Sequence, residues 1–268
     1  MNITLLVNRD VASCLALNYL LNALPAHRLT VFYSARVGSK PLPEPLQRLK
    51  FFEQDFFNRF VFPLQLELAD SDSVELLGFE LLARKLEGRC FELNDINGAE
   101  GMRRYRESNP DLVLSIRYGV ILKDAAIAIP RLGVLNLHSG LLPAYQGVMA
   151  SFWALSNGEQ TLGTTLHRIT DSTIDTGPII DTTILKVRRE KSYLWHVLSL
   201  YEEGCTVMAR AAQELAAGGS LESRPQMGDS AYYSFPQDED LASFEQGGMK
   251  LFDPIEVLEL AKRFCFHD

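Results

Sequence analysis

The turn after the first apolar run, Asn8-Arg9-Asp10-Val11-Ala12-Ser13, contains no glycine. A phosphate cradle needs glycines there so that backbone N–H groups can close on the anion, so this loop argues against a dinucleotide site. Cysteine is sparse: Cys14, Cys90, Cys205 and Cys265 are scattered and form no C-x-x-C pair. That pattern favours buried free thiols in a reducing compartment over zinc ligation or disulfides. Long apolar runs are missing too, because polar residues interrupt every candidate membrane span. The opening Met1–Val7 has neither a basic n-region nor a small-residue cleavage site, so a first strand is expected instead of a signal peptide, and a cytoplasmic protein. Positive charge is in deficit, with a formal net charge of −8 over 268 residues. This argues against a phosphate-backbone partner.

What is present begins as β-α-β. Ile3–Val7 suits a buried strand. Ala12–Leu24 carries Leu15, Leu17, Tyr19, Leu20, Leu21 and Leu24 and stops at Pro25, which predicts a helix, and Leu29–Tyr33 predicts a second strand. Such an opening implies a right-handed crossover and a parallel pair. Ser39–Leu64 is less conventional. Lys40-Pro41-Leu42-Pro43-Glu44-Pro45 predicts an extended lead-in, after which Leu46, Leu49, Phe52 or Phe56, and Phe60 fall at helical spacing. Five phenylalanines between Phe51 and Phe60 suit a helix packed on the sheet, with an aromatic acceptor pocket or an exposed partner patch as the alternatives.

Further helices are expected over Val74–Leu86, Gly101–Ser108, Lys123–Ile129, Val148–Ser156 and Ser192–Ala217. Strands are expected over Arg89–Leu93, Asp111–Ile116, Leu132–His138, Gly163–Ile169 and Pro178–Val187. The alternation predicts an α/β fold, a Rossmann-like open and mostly parallel twisted sheet flanked by helices. A catalytic domain over 1–218 is expected, with a small C-terminal extension over 219–268 packed on it. Arg89, Arg103, Arg104 and Arg106 read as a solvated face.

The chemistry concentrates in Leu135-Asn136-Leu137-His138-Ser139-Gly140-Leu141-Leu142-Pro143. Side chains two apart in a strand point the same way, so Asn136 and His138 share a face, and Gly140 and Pro143 then break the strand. Asp175, in Thr173-Ile174-Asp175-Thr176-Gly177-Pro178, supplies a carboxylate from a later loop. An amide can hydrogen-bond a developing oxyanion, an imidazole can carry a proton, and a carboxylate can fix the imidazole's tautomer. Any one of the three alone has an ordinary structural explanation; together they favour acyl-transfer catalysis. His167 lacks an adjacent amide and reads as a supporting or core histidine. No metal-ligand spacing is present, so no metal is expected.

Asn136-x-His138-Ser139-x-Leu141-Leu142-Pro143 followed by Asp175-x-Gly177 resembles the signature of the 10-formyltetrahydrofolate-dependent formyltransferase family. The resemblance is dense from Asp111 to Val187 and includes Gly163–Arg168 as the family's next strand. It implies the formyltransferase fold, 10-formyltetrahydrofolate as co-substrate, and Asn136, His138 and Asp175 as catalytic residues. It also implies a pterin site at Tyr118, Val120 and Leu122, covered by a loop with Asp171 and Thr173, and a cis Leu142–Pro143 bond. Asn8, Arg9, Ser139, Tyr145 and Gln146 are the implied acceptor contacts. Gln146 stands where the family commonly has an arginine that meets an anionic acceptor. The expected reaction is formyl transfer to the amine or hydroxylamine of a small molecule such as an amino-sugar nucleotide, with no nucleic-acid or membrane partner and a homodimer left open. Formyltetrahydrofolate deformylase is the alternative. Methionyl-tRNA formyltransferase ranks third, because an additional nucleic-acid-binding domain needs about a hundred residues and Ser220–Asp268 is shorter. A non-catalytic folate-binding module ranks last.

Overall fold

The computed structural model describes residues 1–35, 42–68 and 74–266. Lys40 and Pro41 of the expected extended lead-in lie outside them. The chain opens with strand β1 (Asn2–Asn8), helix α1 (Val11–Ala23) and strand β2 (Arg28–Ser34). Asp10 caps α1 by accepting a hydrogen bond from Ser13 N at 2.7 Å, which satisfies one orphan donor of the helix start.

A helical arm follows, made of α2 (Glu44–Lys50), two π-helical turns (Phe51–Asp55 and Phe57–Val61) and α3 (Phe62–Leu68). Next come α4 (Phe79–Lys85), β3 (Cys90–Glu92), α5 (Ala99–Glu107), β4 (Leu112–Ile116), α6 (Asp124–Ile127) and β5 (Val134–His138). The remainder is β6 (Gln146–Gly147), α7 (Ala150–Ser156), β7 (Thr161–Ile169), β8 (Ile179–Lys186), α8 (Tyr193–Ala216), β9 (Tyr232–Tyr233), α9 (Asp238–Gln246) and α10 (Pro254–Cys265).

Seven strands form one sheet in the order β3-β2-β1-β4-β5-β7-β8. The first five are parallel, and β7 and β8 add an antiparallel hairpin beyond β5. Chain order reverses direction between β1 and β4, and ligands in open α/β sheets gather outside the carboxyl ends at such a point. Both faces of the sheet are covered, which is why its central strands are apolar at nearly every position. Leu5, Val7, Leu114, Ile116, Leu135 and Leu137 join α1 and α8 in the larger core. Leu6, Phe32, Val113 and Val134 face a smaller core with Leu93, Ile96, Tyr105 and Leu122.

Two expectations change. The helix expected over Val74–Leu86 starts only at Phe79, because Gly78 is extended (φ −70°, ψ 170°) and its N–H donates to Gln65 Oε1 at 2.7 Å. In the arm, the buried stripe runs through Leu46, Leu49, Glu53, Phe57 and Val61, not through Phe52, Phe56 and Phe60. The i→i+5 bonds Phe56 N–H to Phe51 O and Phe62 N–H to Phe57 O shift the helical phase, so residues four apart stay aligned. Phe57 is fully buried, whereas Phe51 and Phe60 are exposed. The described residues include no helix long and apolar enough to cross a membrane.

Candidate active site

A cavity of about 520 Å³ opens at the carboxyl ends of the central strands. Asn136, His138, His167 and Asp175 line it together. β5 carries Asn136 and His138 on alternate positions, on the side where Val134 enters the smaller core. In the antiparallel register of β5 and β7, Asn136 lies opposite His167 and His138 opposite Thr165. Opposed residues on one face are neighbours, and Asn136 Nδ2 lies 3.0 Å from His167 Nε2.

Asp175 joins them from the loop between β7 and β8. Its Oδ2 lies 3.4 Å from His138 Nδ1 and its Oδ1 lies 3.4 Å from His167 Nε2. Gly147 N–H donates to Oδ2 at 3.0 Å. Burial works to raise the Asp175 carboxyl, but attraction to His138, hydrogen bonding with His167 and the Gly147 N–H outweigh it and bring it down to about 2. The other nitrogen of His138, Nε2, is 2.7 Å from Tyr145 O, and His167 Nδ1 is 3.1 Å from Arg168 O. Both rings are therefore oriented by a carbonyl on one side and the shared carboxylate on the other.

The loop after β5 fits closely. Leu142–Pro143 is cis. A Cβ on Gly140 would come within 2.8 Å of His138 Nε2 and 2.5 Å of Ala150 Cβ, so the chain needs glycine to pass the imidazole. Thr165 Oγ1 donates to Gly140 O at 2.7 Å and accepts from Leu142 N–H at 3.1 Å. Gly177 serves the other side, where a Cβ would meet Arg168 O at 1.8 Å.

Among the described residues, five non-glycine positions have positive φ, and three of them, Arg117, Met149 and Asp175, line this cavity. Backbone held in the left-handed region by its surroundings concentrates at functional sites.

The implied pterin wall is in the same cavity: Tyr118, Val120, Leu122, Asp171 and Thr173 all line it. The Tyr118 hydroxyl is not free, since it donates to Leu93 O at 2.6 Å. Val120 and Leu122 have no backbone hydrogen-bond partner among the described residues, which leaves an edge of donors and acceptors toward the cavity. Asp171 is held below the usual carboxylate range by the hydrogen bonds from Thr173.

The implied acceptor residues divide. Asn8 and Ser139 line the cavity. Arg9 does not: it donates to Glu80, to Tyr33 Oη at 2.9 Å and to Asn58 Oδ1 at 3.2 Å, and it stacks on Tyr33 and Phe79. Tyr145 turns to a smaller pocket, where its hydroxyl donates to Glu159 at 2.8 Å. Gln146 is buried beneath the loop and donates to Asp175 O at 3.3 Å.

Two residues that the motifs do not mark stand at the site. Gln226 Nε2 donates to Asp175 O at 2.7 Å and to Gly177 O at 2.8 Å, holding the loop that carries the carboxylate. It arrives on a strap that pairs Arg224 with Ile179 and β9 with β6. Glu53 arrives on the helical arm and pairs with Arg117. Its signal was an acid placed four residues after Leu49 and four before Phe57 on a buried stripe; Gln226 has no comparable local signal. None of the arm's phenylalanines lines the cavity; Leu46, Leu49, Lys50, Glu53 and Gln54 do.

Residues 71–194 match the family model described as formyl transferase. The chain is 28% identical over 181 residues to the methionyl-tRNA formyltransferase of Kosmotoga olearia, covering 66% of this chain and 57% of that protein. It is 32% identical over 165 residues to the methionyl-tRNA formyltransferase of Deinococcus radiodurans, covering 59% and 52%. The chain thus spans about half the length of these curated relatives. Its fold is similar to that of WlaRD, a sugar 3N-formyl transferase crystallised in the presence of dTDP and 5-N-formyl-THF, with a TM-score of 0.56, 19% identity and coverage of 87% of this chain and 70% of that one. Glycinamide ribonucleotide transformylase 1 from Symbiobacterium toebii gives a TM-score of 0.57 at 18% identity, covering 84% and 94%. The sheet order, the cavity at its carboxyl edge and the matched segment agree: residues 71–194 of this chain are similar to the formyl transferase family.

Proposed function

We propose that the protein transfers a formyl group from 10-formyltetrahydrofolate to the amine or hydroxylamine nitrogen of a small-molecule acceptor, of which an amino-sugar nucleotide is one example. The observation that carries this reading is the meeting of Asn136, His138 and Asp175 on one cavity wall, beside the unpaired backbone edge at Val120 and Leu122. That edge fits the flat donor-acceptor rim of a pterin. The co-substrate supplies the formyl carbon. Asn136 donates its amide N–H to the oxygen that gains charge there, and losing one such donor costs about 3–4 kcal/mol. His138 and Asp175, through a water, move the proton between the incoming nitrogen and the departing one. Asp175, ionised above a pKa of about 2, faces an imidazole nitrogen of each histidine and balances the charge when His138 takes the proton. The catalytic amide, imidazole and carboxylate are assigned to 1–218, with 219–268 as an extension packed on it that brings Gln226 to the site, in the cytoplasm, with no nucleic-acid partner.

A methionyl-tRNA acceptor is the second reading, favoured by the names of the relatives. Tetrahydrofolate release, measured without acceptor and then with small amines or methionyl-tRNA, separates these readings. Release that requires a small amine supports the proposal. Release in buffer alone makes the chain a deformylase, and release only with methionyl-tRNA selects the second reading.

A further inference from the structure

We propose that the cavity wall formed by Glu53 and Tyr193 over the Asp10–Arg117 pair binds a positively charged group of the acceptor, so that the acceptor is a phosphate-free amine with a second cationic centre. This rests on the transferase reading above and narrows it.

The wall is built from the end of β1, the helical arm and the start of α8, on the sheet face of the larger core. Arg117 Nε donates to Asp10 Oδ2 at 2.9 Å and its Nη2 donates to Glu53 Oε1. Asp10 is fully buried and Glu53 is 9% exposed. Two carboxylates thus share one guanidinium, and the cluster is one positive charge short. Withdrawing a charge from water is unfavourable unless a partner compensates it in full, and Glu53 carries the imbalance at the cavity surface. Burial pushes its carboxyl up to about 6 against the pull of Arg117, with Asp10 adding to the rise. Asp10 is further compensated by Asn8 Nδ2, which donates to Oδ2 at 3.0 Å, and by the α1 N-terminus through Ser13 N–H, whereas Glu53 has Arg117 alone.

A second observation comes from another element. Tyr193 is 4% exposed and lines the cavity, and its hydroxyl has no hydrogen-bond partner among the described residues. Glu53, Arg117 and Asp10 are its charged neighbours. The unpaired hydroxyl of a buried tyrosine that lines the cavity, beside an under-compensated carboxylate, offers two acceptor oxygens to one ammonium or guanidinium group.

The same geometry refuses a phosphate. The N-terminus of α1, the natural anion site of this loop, is filled by Asp10's own carboxylate. Arg9 is consumed by Glu80, Tyr33 and Asn58, and Arg117 by its two carboxylates. Lys50, exposed on the arm, is the remaining lysine or arginine among the described lining residues.

The test is calorimetry on the 268-residue chain. Folinic acid is titrated first, then putrescine or dTDP into the folinic acid complex. Putrescine is expected to bind and dTDP not to. Tyr193→Phe should weaken putrescine by about tenfold, the worth of one hydrogen bond to a charged group. Glu53→Gln should weaken it further, with folinic acid affinity unchanged in Tyr193→Phe as the control for folding. Binding of dTDP, absence of putrescine binding, or putrescine affinity indifferent to Tyr193→Phe overturns the inference. Failure of folinic acid to bind the wild-type chain instead overturns the transferase reading, so the two failures are distinguishable.

Discussion

Two carboxylates largely withdrawn from water line one cavity and are shifted in opposite directions. Asp175 is surrounded by donors, two imidazoles and the Gly147 N–H, and sits at about 2. Glu53 shares Arg117 with Asp10 and sits at about 6, because burial outweighs the attraction it receives. Environments that drive two carboxyls apart assign them different work. Asp175 suits a fixed anion that orients and balances a histidine. Glu53 suits a group whose charge is completed by something that enters the cavity. The contrast comes from the partners each is given, since both side chains are almost equally withdrawn from water.

The contrast can be broken first at Asp175. Asp175→Asn keeps the shape but removes the charge between His138 and His167. Turnover, read as tetrahydrofolate release, is expected to fall by about 10³-fold or more, while folinic acid binding stays close to wild type. Turnover within a few-fold of wild type would remove Asp175 from the mechanism.

Next in size is Gln226→Ala, which takes the hydrogen bonds from the Asp175 and Gly177 carbonyls. Misplacing a catalytic group by about 1 Å can cost as much as 10²-fold. A fall in kcat of about tenfold or more is therefore expected, with the folate KM little changed. Gln226→Glu should be no better, because both partners are carbonyl oxygens and need a donor. A variant that changes KM alone would make Gln226 part of the folate site.

The smallest effects are in stability against pH, and they should have opposite signs. Glu53 is raised from 4.5, so its linked stability is fully present below 4.5 and is lost as pH rises through about 6. Urea denaturation should then show Glu53→Gln gaining on wild type by about 2 kcal/mol across that window. Asp175 is lowered from 3.8, so its contribution is fully present above 3.8 and is lost as pH falls to about 2. Wild type should lose a similar amount to Asp175→Asn on acidification. Parallel slopes in the two variants would erase the difference between the carboxyls.

Much of the fold was legible. The β-α-β opening, the strand that carries Asn136 and His138, and the hairpin that follows are written in local apolar runs and breakers, and local patterns survive folding. Asn136, His138 and Asp175 were legible as a group because motif spacing marks them. The phase of the helical arm was not, since i→i+5 turns rotate the buried stripe from Phe52, Phe56 and Phe60 to Glu53 and Phe57. Arg9 and Tyr145 were acceptor contacts implied by the family resemblance. Their side chains instead find Glu80 and Glu159, partners 71 and 14 residues away.

The amino-acid sequence by itself determined which segments become strands and helices and which amide, imidazole and carboxylate carry the motif, because periodicity and spacing act over a few residues. Only the tertiary structure decided that Glu53, Arg117 and Tyr193 meet on one wall and that Gln226 holds the Asp175 loop. Charge balance and hydrogen-bond satisfaction belong to groups brought together in space, and these are separated by 64 and 51 residues in the pairs Arg117–Glu53 and Gln226–Asp175.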